Sequence, residues 1–196
     1  MVILKTANAI KKMREAGRLS ALALKVGGEA VKPGVTTAEI DKAIQDFIVS
    51  QGATPSFLNL YGFPASACIS VNDELIHGIP GNRVIKEGDI VSIDVGACLD
   101  GYHGDNAATF VAGEASEEAQ KLLDVTKQSL YKGIEMAVVG NRVGDISNAV
   151  QTYCEERGYS VVREFVGHGI GRAVHEDPEV PNFGAAGHGP RLVNGM

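Results

Sequence analysis

A shift of 106 residues lays one stretch of this chain over another. It carries Gly34 onto Gly140, Ile40 onto Ile146 and Ala43 onto Ala149. The match continues with Ile44 on Val150, Gln45 on Gln151, Phe47 on Tyr153 and Gly52 on Gly158. Two amphipathic helices align partly in any case, because apolar positions recur with the helical period. Glycines matched at both ends and the paired glutamines favour a true repeat of one supersecondary unit.

Each copy sits in the same plan of a long helix, a short helix, strand-like residues and a His-Gly. Residues 7–29 read as the first long helix, with Ile10, Met13, Gly17 and Leu24 along one face. Lys32-Pro33-Gly34 breaks it. Thr36 and Glu39 form a capping box that opens the short helix, and Gly52 stops it. Residues 115–139 and 144–158 read as the second pair, parted by Gly140. The His-Gly steps are His77-Gly78 and His168-Gly169. Nothing like a linker divides the halves, so the plan predicts a single domain over 1–196, with half-repeats of roughly 1–113 and 114–196.

Composition narrows the function. With 44% hydrophobic and 21% charged residues, the chain reads as an ordinary globular protein with a sizeable core. A formal net charge of -6 argues against general nucleic-acid binding, which needs a surplus of Lys and Arg. No apolar run is long enough for a membrane helix, and the N-terminus turns charged too soon for a signal peptide. Cys68, Cys98 and Cys154 show neither disulfide-framework nor CxxC spacing. A reducing, cytoplasmic setting is the expectation.

Chemistry enters in residues 88–113. Val91, Ile93, Val95 and Ala97 alternate with Ser92, Asp94 and Gly96, as in a strand with one buried face. Asp100-Gly101 is a strong two-residue hairpin turn. That turn sets Val91 opposite Phe110, Ile93 opposite Ala108 and Asp94 opposite Ala107. Asp105 then falls diagonal to Asp94 on the same face. Two such acids repel, and desolvation raises their pKa further. A lone Asp after a glycine usually caps a turn, but Asp94 lies mid-strand between apolar neighbours. A cation between the carboxylates makes the arrangement cheap.

The other candidate is GHGIGRAVHEDP, residues 167–178, with His168 between glycines and His175 seven residues on. A lone histidine is more often structural than a ligand. A histidine flanked by glycines, in a chain with a facing acid pair, shifts that balance towards a metal ligand.

Four segments, NDELIHGIP (72–80), IDVGACLDGYHGD (93–105), GHGIGRAVHEDP (167–178) and GPRLVNGM (189–196), resemble the type I, bacterial kind of methionine aminopeptidase, in order and over essentially the whole chain. The resemblance implies an α+β "pita-bread" fold, a pseudo-two-fold repeat with a curved antiparallel sheet backed by two helix pairs. It implies a dinuclear metal centre (Co, Mn, Fe or Zn) that removes the initiator methionine from nascent polypeptides, with ribosome association by family role. By motif match, Asp94, Asp105 and His168 are metal ligands. His175 and His77 hydrogen-bond the scissile peptide and the developing oxyanion. Phe63, Cys68, Leu60 and Val174 line the methionine pocket, although family members often carry an aromatic where this chain has Leu60 and Val174. His103 and His188 receive no role.

The family's two further ligands, both glutamates, follow the GPRLVNGM segment. The expectation is therefore a C-terminally shortened chain with incomplete sheet, holding one ion or none and inactive or weakly active. A non-catalytic peptide-binding relative of the same fold is the alternative. An Xaa-Pro peptidase or creatinase-like hydrolase is a weaker third reading, since those relatives usually carry an additional N-terminal domain.

Overall fold

The computed structural model describes residues 1–196. Two long helices and two short ones alternate with strands, in the order predicted. Helix α1 spans Ala7–Ala30 and α2 spans Thr37–Ser50. Strands β1 (Thr54–Pro55), β2 (Ala67–Val71), β3 (Ile90–Leu99) and β4 (Tyr102–Val111) follow. Helix α3 is Glu117–Met136, α4 is Val143–Glu155, and strands β5 (Gly167–Gly169) and β6 (Glu176–Val180) complete the series.

The chain forms two compact units that divide near residue 120, with two short segments exchanged between them. One comprises Asn8–Ala119 with Gly171–Val174. The other comprises Met1–Ala7, Gln120–Ile170 and His175–Met196.

In the first unit β3 is the central strand, pairing antiparallel with β1 and β2 along one edge and with β4 along the other. The hairpin has the register read from the sequence: Val91 faces Phe110, Ile93 faces Ala108 and Asp94 faces Ala107. Asp100 and Gly101 both take positive φ, 52° and 74°, as a tight turn between right-twisted strands demands. Val91, Ile93, Val95 and Ala97 are fully buried and pack with Ile40, Ile44 and Ile48 of α2. Phe110 is half-buried against this core, but Ala108 is exposed, so the core face thins out towards β4.

Helix α1 buries a different stripe from the one read by apolar spacing. Ile10 is exposed, whereas Ala9, Ala16, Leu19, Ser20, Ala23 and Gly27 are buried. The reason is close approach. A Cβ at Gly104 of β4 would lie 2.3 Å from the Ala16 carbonyl oxygen, and one at Gly27 would lie 2.7 Å from Ile44 Cδ1. Small residues let the helix reach the sheet at backbone distance, and size rather than hydrophobicity selects the stripe.

The repeat extends to individual hydrogen bonds. Gly34 and Gly140 have φ of 93° and 101°, and Gly52 and Gly158 have 73° and 81°. Thr36 Oγ1 accepts from the Glu39 N–H (3.2 Å), and the Thr36 N–H donates to Glu39 Oε2 (2.8 Å). At the matching place the Arg142 N–H donates to Asp145 Oδ2 (2.7 Å). In the first unit Gly34, Thr37 and Ala38 donate their N–H groups to the carbonyls of Ile85, Arg83 and Gly81. In the second, Gly140, Val143 and Gly144 donate to Leu192, Pro190 and His188. Each short helix therefore begins against an extended segment through the same three bonds.

Candidate functional site

The acid pair belongs to the β3–β4 hairpin. Asp105 lies opposite Gly96, one step of the same face from Asp94, and both acids are half-buried. Their carboxyl groups share a hydrogen bond. Burial, then the charge of Asp105, then that bond push the Asp94 carboxyl up to about 8. A Cβ at Gly96 would lie 2.7 Å from the Ser56 side chain, which packs on that strand.

Cys68 faces Asp94 across the β2–β3 ladder. Burial first, then the charges of Asp94, Asp105 and Asp41, push its thiol up to about 12, so it stays a neutral, soft side chain. Cys68 and Val174 are buried in one small apolar cluster with Phe57, and Leu60 and Phe63 pack against it. The four residues assigned to the methionine pocket from sequence thus come together. Phe57 joins them and escaped the sequence reading, although PSFLNLYGF carries it on the same apolar segment. Asp41 escaped it too. Its Oδ1 accepts from the N–H groups of Ser66 (2.9 Å) and Ala67 (2.8 Å), fixing the entry to β2 beside Cys68. Burial raises the Asp41 carboxyl in spite of those bonds.

His77 stands in the loop between β2 and β3, exposed and with φ of 58°. The loop is pinned next to it. Gly78 donates its N–H to Ser70 Oγ (3.0 Å) and accepts the Ile69 N–H (2.9 Å), and a Cβ at Gly78 would strike the Ile69 carbonyl. His103, given no role from sequence, is half-buried: Ser56 Oγ lies 2.8 Å from its Nδ1. Its backbone N–H donates to the Gly171 carbonyl (2.8 Å), which anchors the short 171–174 segment in the unit that carries the acids. His188 is exposed, with Nδ1 bonded to the Ala186 carbonyl.

In the second unit His168 lies on β5, half-buried, and His175 immediately precedes β6 and is exposed. Their rings meet edge to face, centroids 4.4 Å apart. His168 Nδ1 is 2.9 Å from the Gly169 carbonyl, which can only accept. In that contact the ring donates from Nδ1, leaving Nε2 as the other ring nitrogen.

Hard carboxylate oxygens and an imidazole nitrogen are a donor set suited to a divalent first-row ion. No group of three or more His, Cys, Asp and Glu side chains gathers at metal-holding distance.

The chain matches metallopeptidase family M24 over residues 11–196. It is 59% identical over 196 residues to a methionine aminopeptidase of Clostridium perfringens, covering 100% of this chain and 79% of that protein. To methionine aminopeptidase 1 of Bacillus subtilis it is 53% identical, with the same shares covered. The fold is similar to the crystal structure of methionine aminopeptidase from Rickettsia prowazekii, at a TM-score of 0.98 and 42% identity, over 100% of this chain and 79% of that one. The architecture is accordingly the α+β pita-bread fold expected from the resemblance.

Proposed function

This chain belongs to metallopeptidase family M24, among its type I methionine aminopeptidases, and from that premise we propose that it releases the N-terminal methionine of peptides and newly made polypeptides. The observation that carries the reading is the Asp94–Asp105 pair, two half-buried acids sharing a hydrogen bond at the centre of the sheet.

Asp94, Asp105 and His168 are the proposed metal ligands. When bound, divalent ions polarise the scissile carbonyl and lower the pKa of the attacking water. Asp94 and Asp105 would hold a divalent ion through their carboxylates. His168 keeps its proton on Nδ1, where the Gly169 carbonyl accepts it, and offers Nε2. His175 and His77 donate hydrogen bonds to the scissile peptide and to the oxyanion as it develops. Leu60, Phe63, Cys68 and Val174, with Phe57, take the methionine side chain, the neutral Cys68 thiol meeting its thioether.

The proposed setting is the cytoplasm, with substrates leaving the ribosome. No helix is long and apolar enough to cross a membrane, and all three cysteines are free, which supports that reading.

Release of methionine from a Met-Gly-Ser peptide, with Mn or Co titrated in and a chelator control, is the test. The expected result is release that rises with metal, stops in chelator and is lost in Asp94→Asn and Asp105→Asn. Peptide binding that is equal with and without chelator, and without any release, overturns the enzyme in favour of a binding module.

A further inference from the structure

Lys5 and Glu176 form an ion pair whose side chains are only 11% and 10% exposed. Both lie in the second unit, although 171 positions separate them. A buried pair of this kind is costly to desolvate and gains little stability over apolar packing. Its use lies in what it fixes. Glu176 directly follows His175 and opens β6, where it pairs with Gly169, the residue after His168. It is bonded along the chain to His175 and pairs across the ladder with the residue that follows His168. The strands are tight there. A Cβ at Gly169 would lie 2.6 Å from the Asp177 carbonyl oxygen and 2.9 Å from that of Glu176.

Lys5 is itself anchored. Its ammonium donates to the Ile3 carbonyl (3.0 Å), and its backbone N–H donates to the Gly195 carbonyl (2.6 Å). Gly195 has φ of 86°, and a Cβ there would lie 2.8 Å from the Lys5 carbonyl oxygen. The chain's own N-terminal ammonium pairs with Asp177 one residue further along β6. The N-terminal segment thus grips the start of β6 at two successive acids.

We propose that Lys5 is a positioning residue for the histidine pair: by holding Glu176 it sets the start of β6 and so the edge-to-face placement of His175 against His168. The proposal rests on the functional reading for its importance, since that reading gives both histidines their roles. The placement itself stands on the geometry of the second unit.

The test compares the unchanged 196-residue chain with Lys5→Met, Lys5→Arg and Glu176→Asp at one fixed pH, with resonances and midpoint read in chelator and release read with added Mn. The ring carbon–proton resonances of His168 and His175, assigned with His168→Gln and His175→Gln, report ring placement. The thermal midpoint reports stability, and metal-dependent release from Met-Gly-Ser reports function. Lys5→Met is expected to move both ring signals and to lower kcat on the order of 100-fold with KM little changed, while Lys5→Arg restores both. A lower midpoint with ring signals unmoved overturns the proposal, because the pair then serves stability alone. Should Lys5→Met fail to fold, Glu176→Asp decides by the same signals: it keeps both charges and withdraws the carboxylate by one methylene, and unmoved rings again overturn the proposal. If the unchanged chain releases no methionine but Lys5→Met moves the rings, the functional reading falls and the positioning role stands.

Discussion

Asp105 lies one step along the sheet face from Asp94, and the two carboxyl groups share a proton-mediated hydrogen bond. An acid held at about 8 in the folded chain and near 3.9 in the unfolded one is a stability term with a sign. Between those values the folded state keeps a proton that the unfolded state has lost, so this group's contribution falls as pH rises through that window. In chelator, Asp94→Asn is therefore expected to be more stable than the unchanged chain at pH 8, with the gap closing as pH falls towards 4. Added Mn reverses the order at pH 8, since only the unchanged chain gains ligand binding energy. Calorimetric midpoints across pH, with and without metal, check both. Parallel pH curves for the two proteins would falsify the assignment.

Gly104 touches the Ala16 carbonyl so closely that a Cβ would lie 2.3 Å from that oxygen. Backbone cannot step aside as a side-chain end can. Gly104→Ala is expected to cost about 1–3 kcal/mol through overpacking. Because Asp105 is the next residue, the same variant should also weaken metal binding. Denaturant unfolding measures the first effect and metal titration the second. A stability unchanged within error contradicts the close-packed account of α1.

Cys68 should resist alkylation in the folded chain. Its thiol is pushed up to about 12, mainly by burial and then by Asp94, Asp105 and Asp41. At pH 8 iodoacetamide is expected to label Cys68 far more slowly than in the urea-unfolded chain, where the thiol titrates near 8.5. Since burial is the first cause, Asp94→Asn should accelerate labelling only modestly. Peptide mapping by mass spectrometry reads both rates, and rapid native labelling at this residue contradicts the buried placement.

Thr36 caps α2 with its hydroxyl, whereas Arg142 at the matching place in the repeat has no hydroxyl to offer. Thr36→Ala is expected to cost about 1 kcal/mol. Thr36→Ser should cost a fraction of that, because it keeps the acceptor. Equal losses for both variants, by urea unfolding, would show that the methyl rather than the cap matters.

Much of this was legible in the chain itself. The 106-residue repeat fixed the element order, because glycines that need positive φ and a capping box are local signals that packing seldom overrides. The Asp100-Gly101 turn fixed the hairpin register, and with it the shared face of Asp94 and Asp105, because strand side chains alternate with a strict period of two. Leu60, Phe63, Cys68 and Val174, which share one apolar cluster, were singled out through the family pattern.

Tertiary structure decided the rest. Which stripe of α1 is buried depended on Ala16 and Gly104 meeting at backbone distance, and apolar spacing cannot show that. Phe57 joined the cluster of Cys68 and Val174, and Asp41 anchored the entry to β2, through contacts between distant segments. Lys5 met Glu176 across 171 positions, with no periodicity to announce the pair. Turns, caps and alternation are set by neighbours within a few residues, so the sequence carries them openly. Pairings between far-apart residues exist only once the chain has closed its long loops, and only the folded molecule shows which are made.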